Sequence, residues 1–433
     1  MREELEKYFD RLWPLNRSLT GEGNRETLKI LSEISEMKIS EIPSGTKCFD
    51  WKVPEEWNVK EAWIKDMNGK KVIDFKENNL YLLGYSESYS GRLSLTELKE
   101  HLFTIPDQPD VIPYLTSYYK KRWGFCMSHT QYCDLKEGTY EILINSEFNS
   151  SGSMTIGESI INGESEEEVL LSTYICHPSM ANNELSGPLV AAFINRELRK
   201  NSQNRFTYKS LFLPETIGSI YYLSVNGEHL RKNLKAGYVV TCIGDTGKFT
   251  YKHSRKGNSL SDRAALLVLK ERGKEFISEE FFPTGSDERQ YCSPGFDLPV
   301  GSLMRTRYGK YKEYHTSADN KDFISFEAME ESVRMYMEII KVIENNFTYI
   351  NLMSECEPQL GKRDLYPTIG SSKNTEEIVS AMMWVLNLSD GTNDLISIAE
   401  RSKLPFDILN QSAIKLEEKG LLKKTRSYEV SLK

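Results

Sequence analysis

The chain has 433 residues, 39% hydrophobic and 27% charged, with a formal net charge of −8. That length divides into about three domains at roughly 150 residues each, and the composition is that of a globular protein rather than a disordered one. The acidic balance offers no broad attraction for nucleic acid or an anionic membrane, and no apolar run approaches the roughly 20 residues needed to cross a bilayer.

The first segment, MREELEKYFDRLW, reads as a charged amphipathic helix without the apolar stretch of a signal peptide. Seven cysteines without any C-x-x-C pair read as reduced thiols, so the expected compartment is the cytoplasm. Up to residue 38, Leu5, Phe9, Leu12, Leu28, Leu31 and Ile34 recur at helical spacing around Pro14 and the Thr20-Gly21 turn. From 39 to 125 the texture changes to short strands, among them EAWIKDMNGKKVIDF with its Asn68-Gly69 hairpin signal. This predicts a small inserted β-rich domain, closed by the aromatic stretch PDVIPYLTSYYKKRWGF, which is suited to form a rim or lid.

From 126 to 346 apolar strands alternate with amphipathic helices, and YEILINSEF with GSMTIGESIING reads as a meander at the start. The pattern predicts an α/β domain, made with residues 1–38, whose mostly parallel sheet carries helices on both faces. A linker at 347–372, polar from Gly361, leads to three short helical patterns and a final hairpin-like segment. Residues 373–433 therefore read as a winged-helix domain. This segment holds nine Lys and Arg against nine Asp and Glu, so it lacks the electrostatic footprint of a DNA binder. A protein-partner or homo-oligomer contact is the expected use.

Three strand patterns end on groups that can bind metal: VLLSTYICH on His177, YKSLFLPE on Glu215 and AGYVVTCIGD on Asp245. Ligands in open α/β sheets sit beyond the carboxyl ends of parallel strands, so these endings predict one shared pocket. Zinc hydrolysis needs N or O ligands with one position left open, plus a carboxylate to take a proton from the water. His177, Asp245 and His315, the last in EYHTSADN, are the candidate ligands, and Glu215 is the candidate general base. Cys176 reads as a buried thiol beside them. Asp287 is placed to orient a ligand, Arg289 and Arg305 to grip a substrate carboxylate, and Tyr314 or Tyr308 to donate to an oxyanion, each against a plain structural role.

The order CHPSMANNELSG, FLPETIGS, IGD, GSDERQYCSPGF and EYHTSADN resembles the aminopeptidase-like proteins associated with bacterial polysaccharide biosynthesis, whose core is similar to the co-catalytic zinc aminopeptidases. The resemblance covers essentially the whole chain. It implies His177, Asp245 and His315 as zinc ligands, Glu215 as base and position 183 as the metal bridge. Two departures stand out. Asn183 occupies the bridging position, and Thr216 stands where a second glutamate would follow Glu215. A neutral amide bridges two dications poorly, so one zinc ion is expected at most. Glu184 reads as a helix-start acid facing solvent. The expected activity is amide hydrolysis on a small peptide-like or amide-bearing substrate, with aminopeptidase, carboxypeptidase and amidase all open. The alternative is a weak or inactive peptidase fold that binds or regulates through its winged helix.

Overall fold

A computed structural model describes residues 1–201, 203–365 and 373–425, the side chains of 373–375 apart. The chain divides into two compact units, residues 1–262 with 275–336, and residues 263–274 with 337–433.

The first unit is built on an eight-stranded sheet. In spatial order its strands are Lys38–Pro43, Ser153–Ile161, Thr207–Leu213, Glu168–Tyr174, Leu234–Val239, Val300–Met304, Thr250–Lys252 and Ile277–Glu279. Thr207–Leu213, Glu168–Tyr174, Leu234–Val239 and Val300–Met304 pair in parallel, and antiparallel pairing begins on either side of them. Every residue of Glu168–Tyr174 is buried. A central parallel strand is covered on both faces, which explains why its apolar residues, Val169 to Leu171, run together rather than alternate. Gly187, at the start of the helix Ser186–Leu198, lets that helix approach the next strand end; a Cβ there would stand 2.4 Å from the Val240 carbonyl oxygen.

The small β-rich part differs from the expected 39–125 span at both ends. Lys38–Pro43 pairs with Ser153–Ile161 at the edge of the large sheet. Thr139–Asn149 instead sits inside a four-stranded antiparallel sheet, between Glu56–Lys65 and Tyr89–Ser94, with Lys71–Asp74 outermost. Its inward Tyr140, Ile142 and Ile144 join a core with Ala62 and Ile64. The turn at Ser150–Gly152 thus carries the chain from one sheet to the other, and the expected meander is a crossing. Alternating polarity marked both strands, but it does not say which sheet a half-buried strand joins.

In the second unit the helices Lys373–Leu388, Leu395–Ser402 and Phe406–Glu418 accompany a three-stranded antiparallel sheet. Its central strand is Thr348–Asn351, flanked by Asp390–Asp394 and Leu422–Lys424. The winged helix therefore begins inside the expected 347–372 linker, because the strand that completes it precedes the helices. Residues 366–372 of that linker, and 426–433 of the expected hairpin, lie outside the described residues.

Candidate metal centre

Beyond the strand Glu168–Tyr174 the chain runs through His177 into a five-residue π-turn, Ala181–Leu185, before the helix Ser186–Leu198. Asp319 holds the turn by accepting N–H bonds from Asn182 at 2.6 Å and Asn183 at 2.9 Å. Burial pushes this carboxyl up to about 7, against the pull of those N–H groups.

His177 is buried, and its Nδ1 lies 2.9 Å from Glu184 Oε2. The same oxygen accepts the His177 backbone N–H at 2.7 Å, and Arg17 Nε donates to Glu184 Oε1 at 3.1 Å. Glu184 is therefore buried and aimed at the imidazole, not at solvent as expected. A carboxylate only accepts, so Nδ1 carries a proton, and in the neutral imidazole it is Nε2 that keeps the lone pair. Burial pushes His177 down, but the Glu184 hydrogen bond and the charges of Glu184 and Glu215 outweigh it, and the net shift is upward.

Asn183 is oriented by a closed ring of hydrogen bonds. Its Nδ2 donates to Tyr174 Oη at 3.0 Å, Tyr174 Oη lies 2.5 Å from Thr241 Oγ1, and Thr241 Oγ1 donates to the Asn183 carbonyl at 3.1 Å. Thr241 spends its proton on that carbonyl, so Tyr174 donates to Thr241 and accepts from the amide. The amide nitrogen is thereby assigned to Tyr174, and Oδ1 is left buried without a partner.

Glu215 follows the strand Thr207–Leu213 and keeps 24% of its side-chain surface, with Oε2 3.8 Å from His177 Nε2. Burial raises its pKa, while the nearby charges of His177 and Arg289 oppose the rise. Thr216 sits at φ 68°, a strained setting for a β-branched residue. Asp287 secures it, accepting from Thr216 N at 2.7 Å and Ser219 Oγ at 2.8 Å. Asp287 thus orients the Glu215 corner rather than an imidazole; its Oδ2 is buried without a partner, and burial, then the Glu215 charge, raise it to about 7. Arg289 donates to Thr216 Oγ1 at 2.8 Å.

His315, at φ 55°, brings its ring centroid to 5.4 Å from that of His177. Its Nε2 is buried without a partner. Burial, and then the charge of His177, push its pKa down to about 3. Tyr314 stacks on the ring at 3.9 Å, which makes it a wall, and Tyr114 stands 5.0 Å from both imidazoles. Tyr114 comes from the aromatic stretch expected to form a rim, and its N–H bonds the His315 carbonyl at 2.8 Å.

Asp245 stands apart from this group. Its carboxylate takes Gly247 N at 2.6 Å, Thr306 Oγ1 at 2.7 Å, and Thr306 N and Asn182 Nδ2 at 3.0 Å each. The strand ends at Val239 and the chain turns at Cys242, φ 46°, so Asp245 lies around the corner. Beyond that strand Thr241 and Cys242 both meet Asn183, Thr241 at its carbonyl and Cys242 with Sγ 3.9 Å from Nδ2. Arg305 is also committed elsewhere: it is buried against Ser332 Oγ, the carbonyls of Gly247 and Ala328, and Glu331 Oε2. Tyr308 packs with the buried Lys252–Glu288 pair and donates to Glu288 Oε1 at 2.9 Å. Cys176 Sγ accepts the Glu215 N–H at 3.2 Å.

Among the described residues, the His, Cys, Asp and Glu side chains whose ligand atoms all lie within 4.8 Å of one another are Cys176, His177 and Glu184. His177 Nε2 lies 3.8 Å from Glu215 Oε2, and His315 Nε2 and Asn183 Oδ1 are buried without a partner; imidazole nitrogen and amide oxygen are donor types that a metal ion accepts. Thr216 supplies no carboxylate, and the Asp245 oxygens already receive four hydrogen bonds.

Residues 6–346 match the family model described as a domain of unknown function, DUF4910, and residues 347–424 match a winged helix-turn-helix model. The chain belongs to this family. A relative in Clostridium acetobutylicum, described as a candidate polysaccharide biosynthesis protein with an aminopeptidase-like domain, is 47% identical over 420 residues, or 97% of this chain and 96% of the relative. The crystal structure of a candidate peptidase from that organism shares 46% identity at a TM-score of 0.92, covering 98% of this chain and 96% of its own. A zinc aminopeptidase from Bacillus subtilis is 9% identical with a TM-score of 0.56, over 79% of this chain and 93% of its own. An M28 peptidase precursor from Shewanella amazonensis is 12% identical with a TM-score of 0.57, over 79% and 92%. At such identities the likeness is one of fold: family members carry an aminopeptidase-like α/β fold with a C-terminal winged helix.

Proposed function

We propose that the protein is a hydrolase of the aminopeptidase type that cleaves an amide bond in a small peptide-like or sugar-linked substrate with one zinc ion. The observation that carries this reading is the placement of His177. Its Nε2 lone pair faces Glu215 Oε2 at 3.8 Å while Nδ1 is fixed by Glu184, beside the unpartnered His315 Nε2. His177, His315 and Asn183, through Nε2, Nε2 and Oδ1, would hold the ion. Bound zinc supplies Lewis acidity at the scissile carbonyl and a water of lowered pKa.

Glu215 accepts the proton of the attacking water and delivers it to the leaving nitrogen. Its raised pKa brings it toward the range where a carboxylate does both. Asp287 fixes that base through Thr216 N, and Tyr114 and Tyr314 wall the imidazoles from water. Arg289 is a cation close enough to act on Glu215, which favours substrates with a carboxylate near the scissile bond. The relative's description supports an amide-bearing sugar derivative as the substrate class.

The test is zinc content of the purified protein together with turnover of amino-acid anilides, dipeptides and N-acetylated sugars. Near-stoichiometric zinc and cleavage of one class are expected. Zinc far below one equivalent, with no hydrolysis on adding metal, would sink the reading.

A second reading is favoured by Asn183 and Thr216, which take two acidic positions out of the site: a weak or inactive peptidase fold that recruits a protein partner or a second copy through the winged helix. No helix among the described residues is long and apolar enough to cross a membrane.

A further inference from the structure

Arg17 and Glu184 form an ion pair with 0% exposure on both side chains. Moving two charges out of water costs several kcal/mol for each, and packed apolar replacements of such pairs are often neutral or stabilising. Stability therefore gives no reason to keep this pair, and its geometry points elsewhere. One oxygen, Glu184 Oε2, receives both the backbone N–H of His177 at 2.7 Å and the ring Nδ1 at 2.9 Å. Arg17 Nε reaches the His177 carbonyl at 3.2 Å as well as Glu184 Oε1 at 3.1 Å, while its NH1 is anchored on the Leu12 carbonyl at 2.6 Å. His177 is thus gripped at its backbone nitrogen, its carbonyl and its ring by two side chains.

The π-turn Ala181–Leu185 makes this possible. It sends neighbouring side chains in different directions, Asn183 toward Tyr174 and Glu184 toward His177. The residues that line the site at 183 and 216 are neutral. The negative charge behind the imidazole therefore stands one position further along, at Glu184.

We propose that Glu184 and Arg17 are positioning residues for His177. Glu184 fixes the Nδ1–H tautomer, so that Nε2 presents its lone pair beside Glu215, and lends the imidazole the anionic character that Asn183 and Thr216 do not supply. Arg17 holds the carboxylate in place and ties the imidazole to the segment after the first helix. The proposal rests on the hydrolase reading only for its zinc readout.

The first measurement is the ring 15N shifts of His177 in the metal-free, full-length protein. The Nδ1–H tautomer is expected, and an Nε2–H tautomer overturns the proposal. Glu184→Leu alone strands a buried guanidinium and is expected to misfold, so the variants remove both charges. In Arg17→Met/Glu184→Leu the tautomer becomes a mixture and zinc affinity, by chelator competition, falls about 10–100-fold. In Arg17→Met/Glu184→Gln the amide still accepts from Nδ1–H, so the tautomer stays while zinc affinity falls. Wild-type tautomer and zinc affinity in the first double variant would overturn the proposal. Loss of the tautomer there, in a protein whose wild type hydrolyses nothing, supports the positioning pair and retires the hydrolase reading.

Discussion

Glu215 and Asp245 invite comparison, because each is an acid that follows a parallel strand of one sheet. Glu215 keeps 24% of its side-chain surface, faces an imidazole and has a pKa raised by burial. Asp245 is 3% exposed and receives four hydrogen bonds from its own turn, Thr306 and Asn182. The difference lies in what the oxygens are already doing. A carboxylate whose lone pairs are filled by fixed donors closes a loop, whereas one left short of donors is free to take a proton or a ligand.

Substitution of the two acids sharpens that contrast most. Glu215→Gln should lower kcat by about 10²–10⁴-fold with zinc content unchanged, as expected on loss of a general base. Asp245→Asn should leave zinc content alone and destabilise the fold by about 1–3 kcal/mol, since the new NH₂ would face donors. Urea unfolding at constant m-value measures it, and loss of zinc in this variant would break the comparison by making Asp245 a ligand.

A smaller effect is expected at Asn183. Asn183→Asp adds a charged oxygen where Oδ1 now lacks a partner, and should raise zinc affinity about tenfold or more, a step of about 1.4 kcal/mol. It also forces Tyr174 to donate to the new carboxylate, so the hydrogen-bond ring through Thr241 opens. Unchanged affinity would mean that this position does not face the ion.

Asp319 gives a test that is read in pH. Its pKa is near 7 in the fold and near 3.8 without it, so between these values the native state binds more protons than the unfolded one. Its contribution to stability is therefore full at low pH and declines as pH rises from about 4 to about 7, by on the order of 1 kcal/mol per pH unit. Comparing urea midpoints of wild type and Asp319→Asn at pH 5 and pH 8 isolates that slope.

The large sheet was legible because its central strands are mostly apolar and are followed by amphipathic helices. His177, Glu215 and His315 were legible because strand endings and an aromatic-rich loop are where such groups collect. The aim of Glu184 was not, because a π-turn rotates side chains differently from the α-helix assumed at Ser186. Nor was Arg17, which lies in a polar stretch after Pro14 with nothing local to mark it. The strand pattern read as ending on Asp245 stops six residues earlier, at Val239. The longer reading hid the turn at Cys242, where a left-handed backbone has no marker in a non-glycine residue.

The grip on His177 also has a consequence in time. Arg17 meets the His177 carbonyl across 160 residues of chain and Glu184 across 167. Closing loops of that length costs entropy before any contact rewards it, and such contacts form late on the folding path. The strand that ends near His177 can pair before Arg17 docks, while Glu184, seven residues along the chain, already reaches the imidazole. During refolding the Glu184–His177 contact should therefore form before Arg17 closes on it, and the interval between the two belongs to the docking of the first twenty residues.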